Sequence, residues 1–204
     1  RMWLSLFALL SLLQFIWLRE DSPVVIATAT SITQASSEAG FVLPAGMTAN
    51  QLSQQVYQTI YAIYPALALT ALTLGGALFP FWGTNHTAAT RIRSTFATLI
   101  PGALVSVLLL VFVVAVSPDQ FLNLAFRSPL MVALISPFIE LFFNFITAAR
   151  GAFLASNAIV RIGRAIALAF WLGLINLGTS LAAQLVGSAI VDIQTGVPLF
   201  FRGG

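Results

Sequence analysis

Six polar side chains stand inside apolar runs of this sequence at helical spacings. Glu140, Asn144 and Thr147 lie in "PFIELFFNFIT"; Asn176, Thr179 and Gln184 lie in "INLGTSLAAQL". Separations of four and seven residues put the first three on one helix face, and separations of three and eight do the same for the second three, with Ser180 at four. An ionised group at the centre of a bilayer costs roughly 2.5 to 3.5 kcal/mol, so Glu140 must be protonated, paired or turned to a wet cavity. A carboxyl so placed can carry a proton or a cation along a pathway. It can equally stay neutral and bond a neighbouring helix, contributing about 0.6 to 2 kcal/mol per bond. The two faces predict a helix pair in which Glu140 or Asn144 meets Asn176 or Gln184.

Other chemistry has little to build on. The single histidine, His86, falls in the loop "GTNHTAATRIR" rather than in an apolar run, so no axial ligand for a haem or chlorophyll is offered. Cysteine is absent, which excludes disulfides, thiolate metal sites and cysteine nucleophiles. The six acids are scattered, and no phosphate-binding loop, zincin motif or nucleophile elbow is present. These residues predict no catalytic group, no cofactor and no metal site.

The elements that must position the polar faces follow from composition. With 59% hydrophobic and 7% charged residues and a mean hydropathy of +0.96, a chain of 204 residues carries more apolar surface than a soluble fold of that size hides. The expectation is an all-α integral membrane protein forming one membrane domain. Its surroundings would be lipids, and its partners other integral membrane subunits or a second copy of itself. The nine basic residues are all arginine and leave a net charge of +3, too small and too dispersed for a nucleic-acid footprint.

Five runs approach the 17 to 25 residues that cross the hydrocarbon as a helix: residues 2–18, 57–82, 95–117, 129–149 and 165–190. The first reads as an anchor rather than a cleaved leader because its apolar run is long. Residues 22–56, rich in Ser, Thr, Ala and Gln, read as an external segment whose front half could lie at the membrane edge. Short cytoplasmic loops collect positive charge, and a cytoplasmic N-terminus puts Arg1, Arg91, Arg93, Arg150, Arg161 and Arg164 inside, with Arg19, Arg127 and Arg202 outside. The C-terminus is then external. Trp3, Trp17, Trp82, Tyr57, Tyr61 and Tyr64 near the run ends read as interfacial anchors. Gly75, Gly76, Gly102, Gly173 and Gly178 read as points of close helix approach, and Pro65, Pro80, Pro101 and Pro137 as kinks or ends.

The fourth and fifth runs join through "FITAARGAFLASNAIVRIGRA", where a span containing Pro137 ends in the pair Arg150-Gly151, followed by a short polar link with Arg161 and Arg164. With "LGGALFPFWGTNHTAATRIR" upstream, residues 70–185 resemble a half-repeat of the multidrug (MATE) and polysaccharide-lipid flippase exporters. That resemblance implies half of a helical transporter for an amphipathic substrate, and transfers no ion-binding or catalytic residue. Two readings follow: a non-catalytic integral subunit or scaffold of a larger membrane complex, and a transporter half in which Glu140 is linked to protons or cations.

Overall fold

A computed structural model describes residues 2–18, 23–39, 42–83, 86–115 and 129–197, and every regular element among them is a helix. In order these are α1 (Met2–Trp17), α2 (Pro23–Ala39), α3 (Ala49–Leu78), α4 (Ala88–Ala115), α5 (Pro129–Thr147), a π-helical turn (Ala148–Ala152) and α6 (Ala158–Thr195). Each of the five expected runs overlaps a helix, although α3 ends at Leu78, four residues short of the run expected to reach 82. Two of them, α3 and α6, are long and apolar enough to cross a membrane, and fewer than a quarter of the residues in the most apolar stretch of each are buried. Arg1, Arg19, Glu20, Asp21, Asp119, Arg127 and Arg202 lie outside the described residues.

Local chemistry explains where the helices begin and end. α3 starts eight residues before the apolar run expected at 57, because Thr48 and Gln51 form a capping box. The Gln51 amide donates to Thr48 Oγ1 at 3.2 Å and the Thr48 amide to Gln51 Oε1 at 3.0 Å. Met47, just before the cap, packs into the same apolar cluster as Leu52, the staple that often accompanies such a box. α4 is capped by Thr87, whose Oγ1 accepts from the Thr90 amide, and α6 by Asn157, whose Oδ1 accepts from the Val160 amide at 2.9 Å. α6 stops where Gly196 takes φ +69° and its amide bonds the Asp192 carbonyl at 2.8 Å, a left-handed cap that suits glycine. The segment expected outside the spans contains α2, with Pro23 at its first position.

The chain divides into two compact units, with α1, α3 and α6 contributing to both. Unit 1 holds Arg1–Leu10 and Ala68–Gly178. Its core gathers Trp3, Leu72, Phe79, Trp82, Phe153, Leu168 and Leu172. Trp3, read as an interfacial anchor, is 6% exposed, stacked on Phe7 at 4.8 Å and tilted against Phe96 at 4.6 Å. Trp82 is likewise buried, so both rings serve packing within this unit.

Unit 2 holds Ser11–Leu67 and Thr179–Gly204. Its core is Ile32, Leu52, Val56, Val191 and Val197. α2 is tied to α3 by polar bonds: buried Ser53 donates to the Val25 carbonyl at 2.9 Å, and the Thr28 and Tyr57 hydroxyls pair at 3.0 Å. α3 meets α6 closely at Gly187, where an added Cβ would lie 2.5 Å from Ile60 Cγ1 and 3.2 Å from the Ile60 Cα. Only a residue without a side chain fits against that backbone.

Candidate functional site

The polar face of α5 lies within unit 1, where α5 packs along α4. Its three members behave differently. Glu140 is half-buried. Thr147 turns its hydroxyl back onto its own helix, donating to the Phe143 carbonyl at 2.8 Å, which leaves it no proton for a neighbour. Asn144 is 5% exposed, and its buried Oδ1 accepts no hydrogen bond from any described group. The expected bond from Asn144 to the last span through that oxygen is therefore not made. The oxygen faces α4 instead, 3.7 Å from where a Cβ on Gly102 would stand.

The second face is split. Asn176 is half-buried in unit 1 and has a bonding partner; Thr179 is buried, Ser180 half-buried and Gln184 exposed, all three in unit 2. Gly173 gives α5 its close approach to α6, with Leu141 Cδ2 3.3 Å from its Cβ position, while Gly178 has open space beside it.

A different site, which sequence reasoning missed, forms where α3 ends. The last four carbonyls of a helix have no partner in the helix itself. Here three elements supply donors in succession. Trp171 Nε1 of α6 donates to the Gly75 carbonyl at 2.8 Å, Trp82 Nε1 of the following turn to Gly76 at 2.7 Å, and Arg91 Nη1 of α4 to Ala77 at 3.3 Å. Glycine at 75 and 76 makes this possible, since a Cβ on Gly75 would collide with the Ile175 side chain. One on Gly76 would stand 2.8 Å from Thr95 Cβ. The sequence signal was the pair Gly75-Gly76 followed by Trp82 and Arg91, but the third donor, Trp171, is 96 residues away.

The five arginines among the described residues take distinct roles. Arg91 also donates through Nε to the His86 carbonyl at 3.0 Å, so its guanidinium bridges the end of α3 and the loop before α4. Arg164 donates to Ser156 Oγ at 3.4 Å, and lies 3.5 Å from the Cβ position of Gly83. Arg93 and Arg150 are exposed and Arg161 half-buried. Arg150 sits in the π-helical turn, which closes with the Phe153 amide on the Ala148 carbonyl at 3.1 Å and sends the Phe153 ring inward, 5.3 Å from Trp82. The His86 ring also packs on Trp82, ring centres 5.3 Å apart.

Among the described residues no three His, Asp or Glu side chains converge as metal ligands would. A shallow groove along α2, lined by Ile26, Thr30, Thr33, Gln34, Ser37 and Asn50, collects none of the predicted residues. No family model, curated protein or solved structure matches the chain.

Proposed function

We propose that this chain is a multi-pass integral membrane protein with a cytoplasmic N-terminus, serving as a non-catalytic helical subunit or scaffold of a larger membrane assembly. The observation that carries the reading is the outward face of α6, where Ile166, Phe170, Leu174, Leu177, Leu181 and Leu185 recur at helical spacing and all are exposed. Water would penalise that stripe, and hydrocarbon solvates it. Satisfaction of hydroxyls within each helix supports the same environment. Thr30, Thr33, Thr59, Thr73, Thr95, Thr98, Thr147 and Thr195 each donate to the carbonyl four residues earlier in the same helix.

Alkaline carbonate extraction and purification in mild detergent test the proposal. The chain is expected to resist extraction and to co-purify with unrelated polypeptides in fixed ratio. Isolation of a clean homodimer that moves an amphipathic substrate, with flux abolished by Glu140→Gln, overturns the scaffold reading. That outcome is the second reading, a transporter half of the exporter type, and the orphan oxygen of Asn144 one turn from Glu140 is what favours it.

A further inference from the structure

Five arginines stand at the end of unit 1 where α3 finishes and α4 and α6 begin. Arg91 on Ala77 and Arg164 beside Gly83 are held there directly; Arg93 lies two residues after Arg91, Arg161 three before Arg164, and Arg150 three before Phe153, whose ring packs on Trp82. Arg91 and Arg164 are engaged by protein groups. Arg93, Arg150 and Arg161 make no side-chain bond with another described residue. No described acid shares this end: Glu140 lies ten residues before Arg150 in the chain, roughly 15 Å along a helix, and Glu38 and Asp192 belong to unit 2. Helices α4 and α6 also begin here, and the positive ends of their dipoles add to the potential.

The same end carries apolar side chains that no core claims. Ile159, two residues before Arg161, is 86% exposed, and Leu78 and Phe81 at and just after the end of α3, Leu154 after the π-helical turn and Ile162 in the first turns of α6 are exposed as well. A free anion would use the charge and leave this apolar rim in water. A ligand with a phosphate joined to hydrocarbon uses both.

We infer that this end of unit 1 binds the headgroups of anionic phospholipids, with the guanidinium groups of Arg93, Arg150 and Arg161 on phosphate and the aliphatic rim against the first carbons of the acyl chains. A guanidinium beside phosphate gains from its charge and its N–H donors, and it is the charge on which the preference for an anionic lipid rests. The inference rests on the membrane reading above. A basic side chain near an anionic leaflet contributes about 1 kcal/mol, roughly fivefold in affinity.

Native mass spectrometry of the detergent-purified full chain, titrated with phosphatidylglycerol and with phosphatidylcholine, tests it. Phosphatidylglycerol is expected to bind at least about fivefold tighter. The preference is expected to fall within about twofold in the triple variant R93Q/R150Q/R161Q, and to persist in the matched arginine-to-lysine triple, which keeps every charge. Millimolar inorganic phosphate is expected not to displace the lipid. Equal affinities, a preference unchanged in the glutamine triple, or displacement by phosphate each overturn the inference. If the glutamine triple does not insert, the wild-type chain decides, since a preference that survives high salt also overturns it. Carbonate extraction in parallel separates the two levels. A chain released from the membrane defeats the membrane reading itself, whereas a retained chain without anionic preference defeats the headgroup site alone.

Discussion

Replacing Gly102 with serine would place a hydroxyl beside the one buried side-chain oxygen that has no donor among the described residues, Asn144 Oδ1. The Cβ position is 3.7 Å from that oxygen, so a hydroxyl one bond further out reaches the ~2.7 Å of an O–H···O bond in a staggered rotamer. Serine is also a better helix former than glycine by roughly 0.5 kcal/mol, a gain unrelated to Asn144. A double-mutant cycle separates the two effects: Gly102→Ser is compared in the native chain and in an Asn144→Leu background. There the hydroxyl has only its own helix's Thr98 carbonyl to bond. Interhelical bonds inside membrane bundles average about 0.6 kcal/mol and reach about 1.7, and the coupling should fall in that range. For a chain near 200 residues each kcal/mol moves a melting midpoint by roughly 2–4 °C, so thermal melts in mild detergent resolve it. Equal stabilisation in both backgrounds would refute the reasoning, because it would mean that Asn144 either already holds a donor or does not face α4.

The glycines separate by what stands opposite them. Gly187→Ala should destabilise by about 1–3 kcal/mol, since the Ile60 backbone cannot retreat, whereas Gly178→Ala should be tolerated; melts of the two variants decide, and equal midpoints would count against the close approach. Trp171→Phe keeps most of the ring packing but strands the Gly75 carbonyl, a loss of about 1–3 kcal/mol expected in unfolding titrations and absent if the bond is not made. Thr48→Ala should weaken the start of α3 by about 0.5–2 kcal/mol. Hydrogen exchange should then quicken in the first turn of α3 and remain unchanged in unit 1, and uniform quickening would show that the cap is not local.

Helix positions were legible wherever an apolar run was long, and the misses have physical causes. Hydropathy reports what faces hydrocarbon, while a helix continues as far as its caps allow. α3 therefore reaches back to Ala49 through "TANQ", and α6 runs from Ala158 to Thr195 between its caps Asn157 and Gly196, beyond 165–190 at both ends. Residues 23–39 are too polar to read as a span, yet Thr30 and Thr33 satisfy their hydroxyls on their own helix. Periodicity places Glu140, Asn144 and Thr147 on one face of a helix. It carried no information on the neighbour, and Asn144 faces Gly102 of α4. Trp3 shows the same limit, because an aromatic near the end of an apolar run looks identical in sequence whether its ring meets headgroups or Phe96. Gly187 drew no attention among small residues, and only Ile60 of α3 gives it meaning.

The arginines carry this distinction furthest. An orientation rule treats Arg91 and Arg93 as equal point charges, two residues apart on one loop side. Two residues along a helix is about 200°, however, so the two side chains leave α4 on nearly opposite faces. Arg91 reaches the carbonyls of Ala77 and His86 with different nitrogens of one planar fork, and an ammonium cannot reproduce that geometry. Arg93, exposed and without a partner among the described residues, has no such requirement. Arg91→Lys and Arg93→Lys therefore leave the charge balance, and with it the orientation, the same, while only the first leaves a carbonyl at the end of α3 without its donor. In this chain the positive charge that would set direction in a membrane is also the material that closes a helix end. The residues free of the second duty are the ones left to meet an anionic surface.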